Sequence, residues 1–105
     1  MRRVVVLAIL TVRKAALEVF RAYEKHAATV MAAHGGRIER SVVVTADAPP
    51  GTMKEIHLLA FPSEQAFRDY RSDPRLSEQR HLREQSVVHT EVLIGEDGPD
   101  YGAGG

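Results

Sequence analysis

The chain has no cysteine, which excludes disulfides, thiolate nucleophiles and thiolate metal ligands. It has no surplus of charge either: 14 basic residues balance 14 acidic ones, histidines aside. The cations are scattered and interleaved with acids, so the clustered Lys/Arg that a nucleic acid or an anionic membrane requires is missing. Long apolar runs are missing as well. Val4–Leu10 is the run nearest the N-terminus, and seven Val-rich residues are far too few to cross a bilayer. Arginines precede it, as in a secretion signal, but it passes into a charged helical pattern without a small-residue cleavage site. It is expected to be a buried strand of a cytoplasmic protein. There is no P-loop, G-x-G-x-x-G, G-x-S-x-G or H-E-x-x-H motif.

What is present is globular. Hydrophobic residues make up 44% of the 105 and charged residues 27%, too apolar for a disordered chain. The expectation is a single domain over residues 1–95 with a flexible Gly-rich tail, 96–105. A chain this short buries only about 60–70% of the surface its unfolded form exposes, so a partner subunit covering more of it would stabilise the fold.

The periodicities predict a β-α-β-β-α-β order. A first strand spans 3–11, apolar on both faces. A helix spans about 13–33, with Leu17, Phe20, Tyr23, Ala27, Val30 and Met31 in one apolar stripe and Glu18, Arg21, Glu24 and Lys25 off it. Gly35 suits its left-handed cap and His34 its negative dipole end. A second strand covers about 37–45. The Pro/Gly-rich stretch 46–52 is a loop, and a third strand covers about 53–61. Pro62 ends it, and Ser63 caps a helix over about 64–71. Ser72 or Asp73 then caps a restarted helix with Pro74 at its first position, running to about Gln85, before a fourth strand over about 86–94. This order is the ferredoxin-like arrangement: four antiparallel strands with the helices on one face.

Alternation along the strands divides each into two sets. In the third, Lys54, Ile56, Leu58 and Ala60 oppose Glu55, His57, Leu59 and Phe61. The purely apolar sets are expected under the helices. The mixed sets, with Leu59, Phe61 and Leu93 beside Glu39, Glu55, His57, His89 and Glu91, are expected on the far face. So much apolar surface marks a partner, and so many ionisable groups oppose a fully dry interface. A two-fold homodimer enclosing a partly polar cavity satisfies both.

The helical stretch YEKHAATVMAAHGGR (23–37), HLLAFPSEQAFRDYRSDP (57–74) and HLREQSVVHTEVLIGE (81–96) together resemble the dimeric α+β barrel superfamily, most closely its small DUF1330-type proteins. The chain departs from that pattern at Tyr70, where the family usually places Trp, and at Arg75 and Leu76, where it usually has an aromatic. The resemblance implies the fold and a homodimer. It leaves activity open, because the superfamily includes cofactor-free monooxygenases of aromatic polyketides, isomerases and haem-dependent members.

His57 carries the chemical question. A histidine in an otherwise apolar strand is either bonded to Glu55 or a carbonyl, or it is a general base lining the cavity; its reference pKa of about 6.5 makes both protonation states accessible. His89 and Glu91 are either a solvated edge pair or a base with its orienting carboxylate. Tyr23 is core unless its hydroxyl reaches a ligand, and His26, one turn on, is a second polar group for the same mouth. Arg83 matches an arginine that such proteins carry, and is either an anchor for an acidic ligand or enolate, or part of a salt bridge. The expected activity is that of a cofactor-independent enzyme acting on a small hydrophobic oxygenated metabolite by proton abstraction, leading to isomerisation, cyclisation or oxygenation. His57, Arg83 and Tyr23 are the catalytic candidates, and His26, His89, Glu91 and Phe61 the substrate-binding ones. No cofactor, metal, nucleic acid or membrane is expected. The alternative is a non-catalytic dimeric ligand-binding or stress-responsive accessory protein.

Overall fold

The first apolar run becomes β1 (Val4–Arg13), an inner strand of a four-stranded antiparallel sheet in the order β2 (Arg37–Val44), β3 (Thr52–Phe61), β1, β4 (Val87–Gly95). In the computed structural model, which describes residues 3–102, a short 3-10 turn leads from β1 into α1 (Leu17–Ala33). The chain continues through β2 (Arg37–Val44), β3 (Thr52–Phe61), α2 (Glu64–Arg71), α3 (Pro74–Ser77), α4 (Arg80–Ser86) and β4 (Val87–Gly95). This is the expected ferredoxin-like order. Because β1 is interior, both its faces are apolar: Val6, Leu10 and Val12 are buried beneath the helices, while Val5, Leu7 and Ile9 are half-buried on the open face.

Local signals set the element boundaries. Helix α1 ends in a Schellman motif: Gly35 adopts φ 74°, its N–H donates to Ala32 O, and the Gly36 N–H donates to Met31 O. A Cβ on Gly36 would stand 2.3 Å from Phe61 Cε1, so that position accepts only hydrogen. Ser63 Oγ accepts the Ala66 N–H at the start of α2. Asp73 caps α3 through the Arg75 N–H, with Pro74 following it. The Asp73 carboxyl, bonded also to the Arg75 guanidinium and to His34, is held well below the usual carboxylate range. The segment after Pro74 is not one helix as expected, because it breaks at Glu78 and Gln79 between α3 and α4.

The expected phase of β3 is overturned. Antiparallel residues directly opposite each other share a face. The register pairs Val6 with Leu59, Ala8 with His57, Leu10 with Glu55 and Val4 with Phe61. The mixed set of β3 therefore lies under the helices, and Lys54, Ile56, Leu58 and Ala60 face the open side. Burial of the ionisable pair is tolerated because its members bond to each other. In β2 a bulge between Ile38 and Arg40 breaks the simple alternation and brings Ser41 opposite His57. The tail has no regular structure over 96–102, yet its start is tethered: Arg3 donates to both oxygens of Asp97 and to Glu39. The end of the expected tail, 103–105, lies outside the described residues.

Candidate functional site

The site begins with a small residue in the middle of the sheet. Ala8 lies between His57 on β3 and Val92 on β4. Its methyl group leaves the space between sheet and helices unfilled at this point. A cavity of about 380 Å³ opens between two apolar clusters, one built on Val6, Leu59, Phe61 and Phe67 and the other on Leu10, Val12 and Phe20. Helix α1 supplies Tyr23, Glu24 and Met31 to its wall, and α2 supplies Phe67, Tyr70 and Arg71. Leu76 and Ser77 of α3, Arg80 and Arg83 of α4, and Thr90 of β4 complete the mouth.

His57 stands at the inner end, its side chain only 5% exposed. Its ring stacks on Phe20 with centroids 6.4 Å apart. Nε2 lies 2.8 Å from Glu55 Oε1, and Ser41 Oγ donates to that same oxygen at 3.1 Å. With Glu55 accepting as a carboxylate, Nε2 is the donor of this bond and Nδ1 is the ring nitrogen on the side of Glu24, a cavity-lining residue. Nδ1 lies 3.6 Å from Glu24 Oε2, too far for a hydrogen bond, and the two attract only once the ring carries a second proton. Burial pushes the Glu24 carboxyl up; His57 and Arg83 counter this, and the Glu55 charge adds to it. Burial likewise pushes the Tyr23 and Tyr70 phenols up, so both remain protonated donors at neutral pH. Arg83 reaches across from α4 to donate to Thr90 Oγ1.

The structure thus brings three of the sequence-predicted residues, His57, Arg83 and Tyr23, to one cavity. The other four are elsewhere. Phe61 is a core wall, packed edge-on against Phe67 at 5.2 Å. His26 Nε2 lies 2.7 Å from the Arg75 carbonyl and fastens α1 to α3. His89 and Glu91 pair with Thr11 and Ile9 on the open face, opposite to His57. The expectation that His57 shares their face is corrected by the register.

Glu24 was assigned to the polar side of α1 and proves to line the cavity. Its signal is present in the sequence, because Glu24 lies four residues after Phe20 and three before Ala27, both members of the apolar stripe. Arg71 and Arg80 also line the cavity without a sequence signal, as does Tyr70, where the chain departs from the family pattern. Among the described residues no three His, Asp or Glu side chains are grouped as a metal site.

No protein-family model matches the sequence, and no curated protein matches it. Solved structures do. The RPA0582 protein of Rhodopseudomonas palustris, of unknown function, aligns with a TM-score of 0.77 at 16% identity, over 94% of this chain and 85% of that one. SnoaB of Streptomyces nogalater, a cofactor-independent oxygenase, aligns at 0.68 and 15%, over 96% and 98%. A dimeric Bacteroides fragilis protein of unknown function and ferredoxin-like fold aligns at 0.64 and 13%, over 90% and 96%. The fold is ferredoxin-like. At such identities the likeness extends to the fold and no further, and no family model supports the narrower DUF1330-type resemblance. No helix is long and apolar enough to cross a membrane.

Proposed function

We propose that the chain is a homodimeric α+β barrel enzyme that abstracts a proton beside the carbonyl of a small hydrophobic substrate without a cofactor. The observation that carries this reading is the buried His57, tied through Nε2 to Glu55 with Nδ1 on the side of Glu24, in the lining of a cavity with apolar walls. In the proposed step the substrate C–H bond breaks and its proton passes to Nδ1. The electron pair moves onto the carbonyl oxygen, and the guanidinium of Arg83 and the phenol of Tyr23 stabilise the charge that develops there. Glu55 and Glu24 stabilise the imidazolium that forms, as a carboxylate does for a catalytic histidine elsewhere. Return of the proton to a different carbon gives isomerisation, attack of the enolate on a second carbonyl gives cyclisation, and capture by dioxygen gives oxygenation. The likeness to SnoaB, itself a cofactor-independent oxygenase, supports the last of these at the level of fold.

The homodimer is supported by the open face. Ile56, Leu58, Leu7 and Ile9 lie there half-buried, beside Val42 and Leu93, which are 40% and 52% exposed. An apolar surface of this kind on a small domain invites a second copy, and the Bacteroides fragilis neighbour is dimeric. Deuterium incorporation from heavy water beside the carbonyl of an aromatic ketone such as 1-tetralone, compared between the natural chain and His57→Ala, tests the proposed base. Absence of catalysed exchange across a ketone panel would favour a ligand-binding role.

A further inference from the structure

The mouth of the cavity is basic although the chain as a whole is neutral. Arg71, Arg80 and Arg83 all line it, against Glu24 as the one lining carboxylate among the described residues. Several guanidinium groups elsewhere are matched to acids: Arg3 to Glu39 and Asp97, Arg37 to Glu39, Arg68 to Glu64 and Arg75 to Asp73. None of the three at the mouth forms an ion pair with a carboxylate among the described residues. Arg71 lies over the Phe67 ring, 5.5 Å from its centroid, and Arg83 donates to Thr90. A guanidinium carries five N–H donors, so both contacts leave most of each fork unused. The three charges also act on one place: Arg83 and Arg80 oppose the upward shift of Tyr23, and Arg83 and Arg71 that of Tyr70.

The cavity therefore has two chemically different ends. The buried His57 and the Glu24 carboxyl stand at the inner end and the exposed Arg71 and Arg80 at the outer one, with the half-buried Arg83 between them on Thr90. Val6, Leu59, Met31 and Phe67 supply apolar lining.

We infer that the ligand of this cavity is an organic acid, a flat apolar body whose carboxylate is held by Arg71 and Arg80 at the mouth while its other end reaches His57. Forked N–H donors match a planar carboxylate better than a point cation does, and the match is bidentate. The Glu24 and Glu55 charges at the inner end repel a carboxylate there, which sets the direction of entry. A volume of about 380 Å³ is at the small end for ligand pockets, which run to about 1,000 Å³, and suits a compact ring system. This inference deepens the acid–base reading of the same cavity and rests on it only for which end reacts.

The test is binding, not turnover. 2-Naphthoic acid, its neutral near-isostere 2-acetylnaphthalene, and 2-naphthyl phosphate are titrated into the full chain by calorimetry. Titrations use low salt and about 0.5 M NaCl, where the Debye length falls to a few ångströms. The expected result is that the acid binds at least about tenfold more tightly than the ketone at low salt. That preference is expected to shrink to about threefold or less at high salt, and in the double variant Arg71→Gln/Arg80→Gln. A urea midpoint for the variant shows whether it is folded, and the salt series on the natural chain decides the question if it is not. Equal binding of acid and ketone, a preference untouched by salt, or no binding of any probe would overturn the inference. Tighter binding of the phosphate than of the carboxylate overturns it too, in favour of a phosphate ester. His57→Ala is expected to keep the acid preference, so failure of the proposed base and failure of the anion site give different results.

Discussion

Glu55 Oε1 lies 2.8 Å from His57 Nε2 and accepts from Ser41, while Oε2 of the same carboxylate is buried with no hydrogen-bond partner among the described residues. The bonded oxygen fixes the ring of His57, with Nε2 as the donor when Glu55 accepts as a carboxylate. Replacing Glu55 by Gln keeps the shape but removes the charge that stabilises an imidazolium. Glu55→Gln is expected to lower ketone exchange about a hundredfold, within the usual range for acid–base catalysis, with ketone affinity changed by less than about twofold. Exchange rates followed by NMR over a range of ketone concentrations separate the two effects.

The Glu24 carboxyl is pushed up from its ordinary value of 4.5, chiefly by burial. An acid whose folded value exceeds its unfolded value contributes stability below about pH 4.5 that is lost as pH rises through the folded value. Glu24→Gln removes that loss. The variant is expected to match the natural chain near pH 4 and to melt about 2–4 °C higher at pH 7, at equal protein concentration. A lower melting temperature at pH 7 would mean that attraction to His57 and Arg83 outweighs the burial of the charge.

Ala8 lines the cavity with no more than a methyl group. Ala8→Leu places its added carbons in open space, so the usual overpacking cost of about 1–3 kcal/mol is avoided. Thermal melts are expected to shift by no more than about 2 °C, within the effect of a well-accommodated substitution. Binding of 2-naphthoic acid, read by calorimetry, is expected to disappear. A variant that still bound the acid would place the ligand away from the sheet.

Leu93 is half-exposed on the open face, opposite Leu7. Leu93→Glu adds a charge that water accepts in a monomer and a dry interface does not. In sedimentation velocity the natural chain is expected to run as a dimer and the variant mainly as a monomer with an unchanged far-ultraviolet spectrum. Two monomeric profiles would remove the dimer.

Turns and caps were legible in the sequence because their chemistry is local. Gly35, Ser63 and the Asp73–Pro74 pair each bond within a few residues of themselves. The phase of β3 was not legible. Alternation yields two sets and cannot say which one the helices cover. The answer depends on partners distant in the chain: Ser41 of β2, which bonds the buried Glu55, and Glu24 of α1, which faces His57. The bulge at Glu39, which shifts β2 by one residue, leaves no mark in an alternating pattern. Tyr23 and Arg83 were found by helical position and by resemblance. Arg80 and Arg71 read as ordinary surface charges until the fold placed both at one mouth.

The most direct measurement of the central claim is the rate of deuterium incorporation beside the carbonyl of 1-tetralone in heavy water at neutral pH. The natural chain is expected to accelerate exchange well above buffer, and His57→Ala to lose at least about a hundredfold of that acceleration. Full acceleration by a folded His57→Ala variant would contradict the assignment of His57 as the base.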